Sequence, residues 1–110
     1  MNIVLLIGRL THDVEIKEYN NGTYARIGLA VRREFKNSDG LYDTDFFNIV
    51  LWDAVAAACK EYCNKGSLVS VKCRLQKNRW ENSEGVVNND IEIIGEKIIL
   101  LSSPGKSNQE

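Results

Sequence analysis

A single histidine and a single proline in 110 residues exclude several functions at once. His12, in the loop after the first strand, leaves no Ser-His-Asp or Cys-His constellation and no histidine-rich metal site. The cysteines Cys59, Cys63 and Cys73 are odd in number and lack zinc-ligand spacing. Cys59 and Cys63, at i and i+4, share one helix face as small buried apolar groups. No metal and no cofactor is expected, and the thiols fit a reducing cytoplasm. Scarce proline and eight glycines leave no linker-rich stretch, and the length suits one domain with one core. The apolar run 3–7 has five residues and no basic region before it, so it is neither a signal peptide nor a membrane span. A net charge of −1 argues against binding a polyanion by bulk electrostatics alone.

Local charge is distributed differently. The stretch 65–80, KGSLVSVKCRLQKNRW, carries five cations and no anion. Its first half alternates, with Val69, Val71, Cys73 and Leu75 on one face and Ser70, Lys72, Arg74 and Gln76 on the other, as in a half-buried strand. Trp80 closes it. Cations beside an aromatic ring suit a flexible polyanion with unstacked bases; a solvated strand face is the plainer reading. The combination recurs in 24–36, YARIGLAVRREFK, which sums to +3. There Ala25, Ile27, Leu29 and Val31 point inward. Gly28 and Ala30 leave room on the outer face for a ligand to lie close. A third segment, 44–52, TDFFNIVLW, has the rings without the cations: one parity belongs to the core and the other still shows Phe46 and Trp52. Two large rings exceed what a monomer's solvent face carries, so a partner chain or a ligand should cover them. Acidic segments alternate with the basic ones: 81–96 sums to −5 and 37–45 to −3.

Turn signals divide the chain. Asn20-Asn21-Gly22 precedes one strand, while Asn37-Ser38-Asp39-Gly40 and Asn82-Ser83-Glu84-Gly85 each link two. Between Trp52 and Gly66 the period becomes helical, with Asp53 as N-cap for 54–64, Gly66 as the stop, and Val55, Ala58, Cys59 and Tyr62 inward. A last strand runs over 91–101. The order strand, strand, strand, helix, strand, strand predicts an all-β protein with one short helix. This is the OB-fold, a five-stranded Greek-key barrel with its helix between strands three and four. The barrel domain is expected over 1–102 and a short disordered tail over 103–110.

At this point the chain resembles the bacterial and phage type of single-stranded DNA-binding protein. The likeness rests on NIVLLIGRLTHDVE at 2–15, NGT at 21–23, LAVRREFK at 29–36, TDFFNIVLW at 44–52, KGSLVSV at 65–71, and RLQ followed by RWEN at 74–82. Six segments in order over most of the chain make a specific match. The resemblance implies base stacking on Phe35, Phe46, Trp52 and Trp80, where the alternative for each ring is a place in the core. It also implies a homotetramer, with a dimer as minimum. Ile3, Val4, Leu5, Leu6 and Ile7 are apolar on both faces of a strand, as expected between a core and a second subunit. Phe47 stands where the family places a residue near a subunit contact, or it belongs to the core. Candidate phosphate contacts are Arg26, Arg32, Arg33, Lys65, Lys72, Arg74, Lys77 and Arg79.

Three departures from the family stand out. Asp53 follows Trp52 where a basic residue is common, and VNND at 87–90 lacks an aromatic. The chain ends in SSPGKSNQE without an acidic, aromatic-containing tip, so recruitment of replication proteins through a tail is not carried over. The resemblance implies sequence-independent binding and protection of single-stranded DNA in replication, recombination or repair, in the nucleoid-bearing cytoplasm and without catalysis. Two rivals exist. A nuclease would use Asp39, Asp43 and Asp45 as metal ligands, but turn acids account for them. An OB-fold accessory of replication or translation would bind RNA or protein and need fewer rings.

Overall fold

The computed structural model describes residues 1–104, and within them every side chain except those of Trp80 and Asn88. The elements are β1 (Val4–Leu10), β2 (Lys17–Tyr19), β3 (Gly22–Lys36), β4 (Tyr42–Trp52), α1 (Asp53–Tyr62), β5 (Leu68–Glu81) and β6 (Val87–Ser102). Hydrogen bonding runs β1-β5-β6-β4-β3, and β3 returns to β1 through Arg9 opposite Ala30 and Leu10 opposite Leu29. The sheet therefore closes. β4 and β6 pair in parallel, while the other pairings are antiparallel. This ring is the five-stranded Greek-key barrel of an OB-fold, and α1 follows its third barrel strand.

The added element is β2, which lies outside the ring against β3. Its sequence, Lys-Glu-Tyr, has no apolar alternation, so no period marked it. Asn20-Asn21 is the turn of the β2–β3 hairpin, with Tyr19 opposite Gly22 and Asn20 at a φ of 54°. Asparagine tolerates that left-handed conformation better than most residues.

Strand alternation builds the core. Ala25, Ile27 and Leu29 of β3, Ile49 and Leu51 of β4, and Val69, Val71 and Cys73 of β5 are all but inaccessible. Leu75 continues the same row yet is exposed, because β5 and β6 run on past the barrel as a hairpin arm. The helix turns Cys59 and Val55 to the core as expected, with Tyr62 the exception. Ala56 and Cys59 are its buried residues, and Tyr62 faces solvent. Asp53 is not the cap. Trp52 holds that position without a side-chain bond, and the Asp53 carboxylate accepts the Thr23 backbone N–H at 3.0 Å. Gly66, at a φ of 89°, ends the turn after α1 and donates its N–H to the Leu10 carbonyl.

All three cysteines are buried and free. Burial, with Cys63 nearby, pushes the Cys59 thiol up to about 12; burial, with Glu96 nearby, pushes Cys73 up to about 11. A thiol is reactive as thiolate, so Ellman's reagent should find the native protein silent and count three thiols after unfolding. The same shifts fix a pH dependence. Thiols of the unfolded chain ionise near 9.0 while the native ones stay protonated, so the native state binds more protons above that pH. Stability should therefore fall as pH rises from 9.0 toward 11, which urea midpoints measure. Rapid labelling of the native protein would contradict the buried placement.

Candidate nucleic-acid interface

The outer row of β4 carries Phe46, Asn48, Val50 and Trp52, as the parity indicated. Their register partners on β3 are Ala30, Gly28, Arg26 and Tyr24. Phe46 is 70% exposed and Trp52 is 39% exposed. Between them runs a trough in two joined recesses, of about 360 and 310 Å³, which share Arg26, Val50 and Glu92. Val50 and its β6 partner Ile94 are each 4% exposed and form a small apolar floor separate from the barrel core.

Trp52 does not stand alone. Its ring centroid lies 5.4 Å from Tyr24 and 6.1 Å from Tyr19, and the two tyrosines meet nearly perpendicularly at 6.4 Å. Arg26 lies 5.9 Å from the Tyr24 ring. The three-ring cluster was invisible in the sequence because it depends on the β2–β3 hairpin and on the pairing of Tyr24 with Trp52. Asp53 holds it together, since its bond to the Thr23 N–H ties the helix start to that hairpin. The expected open face at Gly28 is occupied instead. Thr11 and His12 lie over it, and a Cβ there would collide with the Thr11 hydroxyl.

Phe35, 72% exposed, lies where β3 and β4 extend beyond the barrel. The extension is held by Asn37, whose side chain accepts from Asp39 and Leu41 N–H and donates to Asp43. Tyr42, another ring not singled out in advance, sits 4.7 Å from the Arg32 guanidinium and 5.9 Å from the Lys36 ammonium. Trp80 pairs through its backbone with Asn88, and its side chain lies outside the described residues.

The eight candidate cations fall on several surfaces. Arg26 lines both recesses, and its contact to Glu92 is long, at 4.0 Å. Arg32 lines a separate recess of about 490 Å³ with Arg9 and Thr44. Arg33 is committed: its Nε and Nη2 donate to the two oxygens of Asp45, each at 2.9 Å. That hydrogen bond holds the Asp45 carboxyl below its ordinary range and raises the Arg33 pKa. Arg74 donates to Glu96 at 3.2 Å and Gln76 at 2.8 Å. Lys72 lies in the cross-strand row of Leu5 and Lys97. Lys65, in the turn before β5, uses its backbone N–H on Asp13. Lys77 and Arg79 alternate with Gln76 and Asn78, which line the trough, so they take the opposite face of the arm.

On the far side of the barrel, β1, β5 and β6 present a second feature. Leu5 is 69% and Ile7 57% exposed, with Ile7, Ser70 and Ile99 in one row and Leu101 further along β6. Val4 and Leu6 turn the other way and pack on the core. Phe47 is half-buried at the end of the trough beside Ile91 and Ile93. Of the three acids of the nuclease rival, Asp43 and Asp45 are engaged by Arg33 and Asn37, and Asp39 sits in the turn with its backbone N–H on Asn37. Among the described residues no group of three or more His, Cys, Asp or Glu is placed to hold a metal, and no helix is long and apolar enough to cross a membrane.

The comparison with known proteins agrees with this geometry. Single-stranded DNA-binding protein B of Bacillus subtilis (strain 168) is 44% identical over 86 residues, which are 77% of this chain and 76% of that protein. Single-stranded DNA-binding protein 1 of Lactococcus lactis subsp. lactis (strain IL1403) is 33% identical across 100% of this chain and 74% of its own length. The single-stranded DNA-binding protein of Lactiplantibacillus plantarum (strain WCFS1) is 36% identical across 97% of this chain, which spans 54% of that longer protein. Residues 1–101 match the single-strand binding protein family, and with the closed barrel and its ring-lined trough this places the chain in that family.

Proposed function

We propose that this protein binds single-stranded DNA with little dependence on sequence and protects it, without catalysis, in the cytoplasm during replication, recombination or repair. The observation that supports this most is the trough between Phe46 and Trp52, with exposed rings at both ends and Arg26 in the middle. Bases stack on Phe35, Phe46, Trp52 and Trp80 at about 1–3 kcal/mol each, whatever their identity, because every base offers a π-face. Duplex DNA hides those faces and binds poorly. The working form is a homotetramer, or at least a dimer, joined through the exposed apolar face of Leu5 and Ile7.

Titration with poly-dT at low salt should quench tryptophan fluorescence, and a matched duplex should do so far less. Unchanged fluorescence would sink the reading. Tighter binding of a matched RNA would favour the RNA-binding accessory instead. Salt dependence then sorts the cations. Each neutralised phosphate contributes about −0.7 to the log–log slope for single strands. Arg26→Ala should flatten the slope by about that amount. Arg33→Ala should flatten it less, because its guanidinium is already engaged by Asp45. Equal flattening by both variants would show that the Arg33–Asp45 pair opens for phosphate.

A further inference from the structure

The recess beside Trp52 is chemically asymmetric. One wall is the ring pair Tyr24 and Trp52, and the floor is Val50. The facing wall is polar, formed by Gln76 and Glu92, which stand directly opposite each other across β5 and β6. Cross-strand partners hold their Cβ atoms about 5 Å apart, so these two end groups address one ligand edge together. Their hydrogen-bonding roles differ. The Gln76 Oε1 already accepts from Arg74 at 2.8 Å, which leaves its amide nitrogen as the donor toward the recess. The Glu92 carboxylate has its Arg26 partner at 4.0 Å, beyond hydrogen-bond reach, so its oxygens retain accepting capacity.

We propose that this recess is a base pocket that prefers guanine, with Glu92 accepting from N1–H and the N2 amino group while the Gln76 amide donates to O6. The proposal rests on the reading of the trough as a single-stranded DNA site and makes it more specific. Guanine is the base whose Watson–Crick edge offers two adjacent donors followed by an acceptor. Thymine offers one donor between two carbonyls, which the carboxylate repels. Adenine and cytosine each set a single amino group beside an unprotonated ring nitrogen. A carboxylate can therefore make a two-pronged, charge-assisted contact with guanine alone. The recess, about 360 Å³, is of the size that small-molecule pockets have. Stacking on Trp52 holds any base there, so the preference is superimposed on general binding.

The test compares alternating dT–dG and dT–dI oligonucleotides of equal length, since hypoxanthine differs from guanine by loss of the N2 amino group. The parent should bind dT–dG several-fold more tightly, less than the full value of a two-pronged base contact, because hypoxanthine keeps N1–H and loses only one prong. Glu92→Gln should bring that ratio close to one. The ratio is the readout, because removing a negative charge also raises affinity for any polyanion. Equal affinities in the parent, or a preference that survives Glu92→Gln, would overturn the pocket while leaving general binding intact. Failure to bind either oligonucleotide, or poly-dT, at low salt would overturn the underlying reading and the pocket with it.

Discussion

Leu5→Asp should break the assembly and leave the fold standing, whereas Leu6→Asp should damage the fold itself. The two residues are neighbours on β1 with opposite surroundings. Leu5 is 69% exposed on the outer face, and Leu6, opposite Val71, packs on the core. A carboxylate at Leu5 is solvated in the monomer but unpaired in an apolar contact between subunits, where an unpaired charge costs several kcal/mol. Its burden therefore falls on association. The same group at Leu6 meets the barrel interior in every state, so its burden falls on folding. Light scattering should show the parent as an oligomer and Leu5→Asp as a smaller species with unchanged circular dichroism. Long single strands should then bind more weakly, because linked subunits present several sites to one strand. Ile7→Asp, 57% exposed in the same outer row, should behave like Leu5→Asp. A monodisperse parent monomer at micromolar concentration, or a Leu5→Asp oligomer of full size, would refute the proposed interface.

Where one face of a strand meets the core, the sequence was sufficient. Ile27 and Leu29, Ile49 and Leu51, and Val69 and Val71 all fell inside, because a shift of one residue would turn each apolar set to solvent. Exposed Phe46, on the face of β4 opposite buried Ile49, was legible for the same reason. What remained hidden depends on which strands lie side by side. Tyr24 stands opposite Trp52, and Gln76 opposite Glu92, at sequence separations that no local pattern encodes. The basic stretch 65–80 shows the limit most clearly. As a one-dimensional sum it looks like a continuous stripe. In the barrel its strand is paired with acidic β6, so Glu96 engages Arg74, and alternation sends Lys77 and Arg79 to the face opposite Gln76. Charge sums along a strand carry no information about the partner strand. On the helix, Cys59 and Val55 meet the core as the period indicated, and only Tyr62, the last residue of α1, is exposed where burial was expected.

Trp52→Ala should weaken binding of single-stranded DNA by about 1–3 kcal/mol, the value of one stacked base, with the salt slope nearly unchanged. Stacking releases few counterions, while a phosphate contact releases them directly. A ring and a cation therefore leave different signatures, and Arg26→Ala should show the opposite pattern. The cluster around Trp52 sharpens the expectation. Tyr24 and Tyr19 support one side of the indole, and its remaining exposed surface faces the trough. Trp52→Phe keeps a ring on that support and should recover much of the affinity, which a purely structural role for the indole bulk would not require. The two tryptophans also allow each to be read separately. In Trp52→Phe the remaining signal is Trp80, and its quenching by poly-dT reports whether that ring also stacks. Trp80→Ala should match Trp52→Ala in size and in its flat salt response. Should Trp52→Ala bind as tightly as the parent, the indole belongs to the hairpin's packing, and Arg26 with Phe46 would be holding the strand without it.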